Sequence, residues 1–376
     1  MTAPTVLIVL TSADRRGAEV EGSQLAAELT ALGVPTSVVA LRSAAQGEAR
    51  SVQPLDVPSL GDRPLSWSTL RALRRLARGV DVVVAFGSST LPACALALAG
   101  TRTPFVYRSI GDPARWVRGA WHRRRTGLLF RRAAHVVALW PEAAASISNL
   151  YRVPSLSVTC IPNARQLPTA GEPAACEPAT GEPTAGNLSA AAARQSFGVP
   201  ADAAVVAWVG ALSPEKRPVA AVESVAAMAD AWLLLAGEGA LRADVAATAA
   251  QLLPGRHRLV GVLDDLSPLW AAADVVLLTS ATEGMPGVLI EAALHGVPAV
   301  ATDVGAVATM VDDGRTGRVV PAGATPTDMA AALRDALTHR AQWGDDARAH
   351  AAARFTWPTV TPLWADLLRK VGSRLR

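Results

Sequence analysis

Cysteine is scarce in this chain. The three present, Cys94, Cys160 and Cys176, stand far apart in 376 residues. That spacing builds neither a disulfide framework nor a zinc knuckle, and it points to a reducing, cytoplasmic compartment. Histidine is thin as well. His122, His135, His257, His295, His339 and His350 are scattered without ligand spacing, so neither a metal site nor a metal cofactor is expected. The paired aspartates at 264–265, 312–313 and 345–346 sit where turns or helix ends are expected. Aromatics are few, at 5% of the chain. No apolar run reaches the roughly 20 residues that span a bilayer. The first apolar run, Val6–Leu10, has no basic region before it, which argues against a secretory signal.

What is present is an alternation. Short Val/Ile/Leu/Ala runs are followed by stretches with helical spacing, and continuous apolar runs are how buried parallel strands read. The runs are TVLIVL, Ser37–Leu41, then 80–87, 103–109, 134–140 and 157–163, about six strands in the first half. The second half has 204–210, 231–237, 257–262, 274–280, 298–303 and 318–321, again about six. This predicts an α/β protein of two Rossmann-like, doubly wound halves. Between them, 164–188 is rich in Ala, Pro, Gly and Glu and repeats GEP, CEP and GEP. It has no apolar face to bury and reads as a linker. The expected domains are therefore 1–163 and 189–355. Phe355–Leu368, with three large aromatics, reads as a helix, and 356–376 is expected to pack back on the first domain. Ligands of open α/β sheets sit outside the carboxyl ends of the strands, so the binding cleft is expected between the halves.

The stretch Thr279–Val300, TSATEGMPGVLIEAALHGVPAV, carries the strongest motif. It reads as strand end, Gly/Pro loop, helix and next strand. Glu283 lies on the loop and Glu291 in the helix, with seven residues between them. Gly284, Met285, Pro286 and Gly287 form the turn. Backbone N–H groups near Gly287, Val288 and Leu289 suit an anion, because first-turn amides lack intrahelical partners and the dipole is positive there. A second loop, Val209–Pro218, carries Lys216 and Arg217, whose cations could neutralise a diphosphate. The ordinary alternative for both loops is a solvated turn. In Thr11–Glu19, Gly17 stands just before a helix and allows close approach of a phosphate, although a lone glycine there is usually only a turn. Tyr107–Trp116 follows a strand and offers Arg108, Ser109 and Asp112; Asp112 before Pro113 equally suits the start of a turn.

These motifs resemble family 4 glycosyltransferases of the GT-B fold. The Glu-x7-Glu signature is Glu283…Glu291, and the likeness extends through 303–321, 209–218, 235–241, 161–163 and 6–19. The resemblance implies a retaining, metal-independent enzyme that moves a sugar from a nucleotide-sugar donor to an acceptor hydroxyl, such as a lipid-linked or cell-envelope glycan. It implies that Glu283 holds the donor sugar, that Glu291 holds the ribose, and that Lys216 with the helix amides serves the diphosphate. The loop Gly261–Asp265, with Val262, bears on the choice of base. Front-face attack, with the donor phosphate taking the acceptor proton, requires no protein base, and domain closure completes the site. Two departures stand out. Ala211 occupies a position where the family usually has Arg, which Arg217 or an N-terminal Arg would have to replace. Arg108 and Ser109 stand where many relatives have a His, on what is expected to be the acceptor side.

Arg115–Arg132 interleaves arginines with Trp121, Leu128 and Phe130. That pattern is compatible with a peripheral contact on the inner, anionic membrane surface, or with a plain solvated helix; a nucleic-acid partner lacks any matching fold. Two rivals share the architecture: a nucleotide-sugar epimerase, which needs a further acid or base at the sugar, and a non-catalytic nucleotide-sugar-binding subunit.

Overall fold

The computed structural model describes residues 3–15, 17–44, 54–116, 119–168 and 189–373. Most of the segment read as a linker, 169–188, lies outside the described residues, as do Cys176 and Arg16. The chain divides into two compact units, Met1–Ala164 together with Phe355–Arg376, and Arg165–Arg354.

The first unit alternates strand and helix. Its elements are β1 (Val6–Ser12), α1 (Gly17–Ala31), β2 (Thr36–Arg42), α2 (Trp67–Ala77), β3 (Val82–Phe86), α3 (Thr90–Ala97), β4 (Phe105–Arg108), α4 (Ala120–Phe130), β5 (His135–Ala138), α5 (Pro141–Tyr151) and β6 (Val158–Cys160). The six strands form one parallel sheet in the order β2-β1-β3-β4-β5-β6. Ile8 on β1 registers with Val38 on one side and Val84 on the other. The chain reverses its winding between β1 and β3, so the loops leaving these two strands flank a crevice at the carboxyl edge.

The second unit contains α6 (Ala190–Ser196), β7 (Ala204–Val209), α7 (Pro218–Ala226), β8 (Ala231–Ala236), α8 (Arg242–Leu252), β9 (His257–Gly261), α9 (Ser267–Ala272), β10 (Val275–Leu278), α10 (Gly287–Leu294), β11 (Ala299–Thr302), α11 (Val307–Met310), β12 (Gly317–Val320), α12 (Pro326–Thr338) and α13 (Arg340–Arg354). Its sheet is also six-stranded and parallel, in the order β12-β11-β10-β7-β8-β9. The winding reverses between β7 and β10. The two loops that carry the strongest motifs, after β7 and after β10, therefore meet at the switch point.

The apolar runs overstate several strands. The run 134–140 pairs only over His135–Ala138, although Leu139 and Trp140 stay buried beyond it. Burial continues past the ladder because the following turn packs on the same core.

The last helix, α14 (Trp357–Ser373), runs past the Leu368 expected from the aromatic spacing. Pro362 sits inside it and removes a backbone donor, a penalty of about 3 kcal/mol. Burial offsets that penalty. Trp357, Val360, Trp364, Leu368 and Val371 all enter the first unit's core, at roughly 1.5–3 kcal/mol for each fully buried side chain. The helix packs on α1 and β3, with Trp364 stacked on Phe86 at 6.1 Å between centroids. The second unit has its own core, built around Trp208, Leu233, Leu235, Val275 and Leu277.

Candidate functional site

The loop after β7 is held from both sides. Leu212 N donates to Glu238 O at 2.9 Å. Thr279 Oγ1 lies 2.9 Å from the carbonyls of both Lys216 and Arg217, and it accepts from Trp208 Nε1 at 3.1 Å. Ala281 N donates to Glu215 O at 2.7 Å. These bonds tie the exit of β10 to the loop that carries Lys216. Its Nζ then reaches Glu283 Oε1 at 2.6 Å, and Ser280 Oγ donates to the same oxygen at 2.6 Å. The Glu283 side chain is 8% exposed and that of Lys216 is 25% exposed. An ammonium has three protons, so after this contact Lys216 keeps two for a ligand.

Behind Glu283 the backbone is pinned. Ala306 N donates to Gly284 O at 2.8 Å. Gly305 sits at φ +59°, and a Cβ there would stand 2.5 Å from Glu283 O. Only a residue without Cβ fits both the left-handed conformation and the close approach.

At the start of α10, Pro286 is the N-cap and gives no side-chain hydrogen bond to the first turn. Leu289 N already donates to Pro286 O at 3.2 Å. The expectation of three amides thus narrows to those of Gly287 and Val288. The side chains of Met285 and Leu289 are buried at 5% and 3% exposure, so these two residues shape the loop from beneath and do not offer side chains to a ligand. Val262, just after β9, is exposed.

Glu291 is on the second turn of α10. Its Oε1 accepts from Arg165 Nε at 2.5 Å, and the Arg165 guanidinium lies over Gly287 so closely that no methyl would fit there. Arg165 lies two residues beyond the IPN motif, and no spacing signal marks it. Its role needs the chain crossing into the second unit to land beside α10, which residue spacing does not reveal.

Arg217 is anchored within its own unit. Its backbone takes φ 52° and ψ 51° at the start of α7, and its guanidinium donates to Ala322 O at 2.7 Å. That bond ties the side chain to a neighbouring loop and uses one of its five N–H donors.

In the first unit, Gly17 opens α1 with free space above it. Arg108 and Ser109, expected on the acceptor side, are both only 1% exposed. Arg108 Nη2 donates to Asn163 Oδ1 at 2.5 Å and lies 3.4 Å from Glu21 Oε1. Its guanidinium lies against the edge of the Phe86–Trp364 stack, 5.3 Å from each ring centroid. Such desolvated cation–π contacts are worth about 2 kcal/mol. Arg108 thus joins β3, β4, α1 and α14, and Asn163 and Glu21 are its neighbours for that reason. Ser109 is buried by the pairing of its N–H with Val137 O at 2.9 Å. Asp112 Oδ1 accepts from Ala114 N at 2.9 Å, the turn-forming use of an aspartate.

The crevice face of this unit instead presents a cavity of 580 Å³ lined by Arg63, Leu65, Ser66, Ser88, Ser89 and Pro92. Ser88 and Ser89 follow β3 directly, at the winding reversal. Among the described residues, no three His, Cys, Asp or Glu side chains cluster to hold a metal ion. Burial pushes the Cys94 thiol up to about 12, so it stays protonated and is no nucleophile.

Comparison with known proteins bears on the family and the fold. Residues 203–339 match the family described as glycosyl transferases group 1, and residues 15–166 match glycosyltransferase family 4. A D-inositol 3-phosphate glycosyltransferase from Catenulispora acidiphila is 36% identical over 208 residues, covering 49% of this chain and 47% of that protein. The match spans about half the length of the curated relatives. Among solved structures, Anabaena HepE in complex with UDP-glucose superposes with a TM-score of 0.80 at 21% identity, covering 98% of this chain and 100% of that one. WaaG, involved in lipopolysaccharide biosynthesis, gives 0.71 at 18% identity, with 96% and 99% covered. At those identities the likeness shows the fold: two parallel six-stranded sheets in the GT-B arrangement.

Proposed function

The chain belongs to the family 4 glycosyltransferases, and on that premise we propose that it moves a sugar from a nucleotide-sugar donor to an acceptor hydroxyl with retention at the anomeric carbon. The observation that carries the proposal is the convergence of Lys216 Nζ and Ser280 Oγ on Glu283 Oε1, beside the open N-terminus of α10. A diphosphate meets the amides of Gly287 and Val288 and the two remaining protons of Lys216. Glu283, held in place by its two donors, faces the sugar hydroxyls. Glu291 accepts from the ribose through the oxygen that Arg165 does not use. Arg165, lying over Gly287, supplies the second cation that Ala211 fails to give. Electrostatic stabilisation of the leaving group by such preorganised donors is usually the largest catalytic contribution. No metal is needed, and the departing phosphate takes the acceptor proton.

The acceptor occupies the cavity beside Ser88 and Ser89, where the two hydroxyls and Arg63 suit a polar, hydroxylated molecule. The exposed Trp121 and Leu128 on α4, 72% and 58% accessible, together with the arginines of that helix, support contact with an anionic membrane surface from the cytoplasmic side. No helix of the described residues is long and apolar enough to cross a membrane.

HepE was solved with UDP-glucose, which makes UDP-glucose the first donor to test. Purified protein is incubated with a panel of nucleotide sugars, and the anomer of any transferred or hydrolysed sugar is read by NMR before mutarotation. Retained configuration supports the proposal. An inverted product overturns retention, an altered donor sugar indicates epimerisation, and nucleotide binding without turnover indicates a non-catalytic subunit.

A further inference from the structure

A second polar cavity lies in the first unit, between α4 and the end of α5. It measures 450 Å³ and is lined by Arg123 and Arg124 from α4, by Asn149 from α5, and by Arg131 and Arg152, the residues that cap these two helices at their C-termini. Its position follows from topology. Helix α4 leads into the amino end of β5, and α5 leaves the carboxyl end and runs back. Both helix ends therefore lie at the amino edge of the sheet, opposite the edge that carries Gly17, Ser88 and Ser89.

The described residues do not neutralise the four guanidinium groups. Among the described residues, none of them makes an ion pair or a side-chain hydrogen bond. The sequence contains no Asp or Glu from Pro113 to Pro141, nor from Ala143 to Ala170. A solvated basic helix ordinarily carries carboxylates one turn away from its cations; this one has none. Two helix C-termini approach the cavity and contribute roughly half a negative charge each. Four full positive charges exceed that.

The cavity is also built. Helices α4 and α5 touch through Gly127, where a Cβ would come 2.9 Å from Tyr151 O. Phe130 packs on Tyr151 at 4.9 Å between centroids, and the Tyr151 hydroxyl donates to Pro113 O at 2.7 Å. Arg152 then takes a left-handed conformation, φ 56° and ψ 42°, which costs a non-glycine residue about 1–2 kcal/mol. The turn brings the Arg152 side chain to the cavity wall.

We infer that this cavity binds a phosphate group, held by guanidinium forks from both helices and by the Asn149 amide. Planar guanidinium groups match phosphate oxygens in pairs, which is why arginine dominates such sites. The same chemistry is offered by a free phosphoester or diphosphate and by the phosphate headgroup of a lipid.

Inorganic pyrophosphate is the probe, and hydrogen–deuterium exchange on the full chain is the readout. In the wild type, pyrophosphate at ten times its dissociation constant should slow exchange in 120–132 and 148–153 by about tenfold. The variant carrying Arg131→Gln and Arg152→Asn should lose that protection while keeping the wild-type melting temperature, since asparagine tolerates the left-handed turn. Unchanged exchange in these segments in the wild type, or equal protection in the variant, overturns the inference. Protection at 210–217 and 283–291 reports the donor site separately and should be the same in both proteins. Its absence would count against the donor reading alone. Phosphatidylcholine vesicles with and without phosphatidic acid separate the sources. Retention by the acidic vesicles that the variant loses assigns a lipid headgroup. Pyrophosphate protection without retention assigns a free phosphate.

Discussion

Arg165 grips Glu291 at 2.5 Å through Nε and lays the rest of its guanidinium over Gly287. One side chain thereby fixes the carboxylate assigned to the ribose and adds positive charge at the N-terminus of α10. A charge-assisted hydrogen bond contributes about 1.5–3 kcal/mol, which converts to roughly 10–100-fold in affinity. Arg165→Ala should weaken nucleoside diphosphate binding by that factor, measured by calorimetry. Unchanged affinity would remove Arg165 from the site.

Gly287→Ala tests the same contact from the other side. Its methyl would displace the Arg165 guanidinium, which is the free end of a flexible side chain, so the fold should survive. Donor affinity should fall about as far as in Arg165→Ala, and the double variant should be no worse than either single one, because the two changes remove one interaction. Additive losses would show that the residues act independently.

Glu283 and Lys216 should separate kinetically. Glu283→Gln should cut turnover by about 10²–10³, the range for loss of one preorganised polar contact in a transition state, with little change in nucleoside diphosphate affinity. Lys216→Ala should weaken that affinity. Equal turnover in a folded Glu283→Gln protein would refute the sugar role.

Gly305→Ala addresses the support beneath the loop. The residue sits at φ +59° with its would-be Cβ 2.5 Å from Glu283 O. The substitution should cost about 1–3 kcal/mol, as strained left-handed positions do, seen as a lower melting temperature together with reduced activity. A variant as stable and active as the wild type would show that the loop has room to give.

His350 on α13 makes stability pH-dependent. Burial, and then the neighbouring Arg354, hold its pKa below the ordinary 6.5. The unfolded chain therefore takes up a proton at higher pH than the folded one does. Between the two values the unfolded state binds more protons, so stability rises with pH there. The advantage is complete above about 6.5 and is lost as pH falls through the folded-state pKa. The melting temperature of His350→Gln should drop less than that of the wild type between about pH 7.5 and pH 5. Parallel curves would place the sensitivity elsewhere.

Much of this was legible in the residues themselves. Parallel strands buried on both faces are written as apolar runs, so the two six-stranded sheets could be counted in advance. Glu283, Gly287 and Glu291 could be placed around one helix start because they are close in sequence and helix geometry is local. The contact of Arg217 with Ala322 was not legible, because a cation in a loop does not disclose which carbonyl it will meet and Ala322 is far away in the chain. The burial of Arg108 was hidden for a related reason. Nothing near an arginine at a strand end in sequence discloses that Glu21, Phe86, Asn163 and Trp364 will close around it.

The sequence by itself determined the alternation of elements, the two-unit division and the local motif at α10, because each depends on spacing within a turn or a strand. Only the tertiary structure decided which side chains share a site. The convergence of Lys216, Ser280 and Glu283, the seating of Arg165 over Gly287 and the gathering of four arginines between α4 and α5 all require the sheets to be wound. Winding brings strand ends and helix ends together regardless of their separation along the chain.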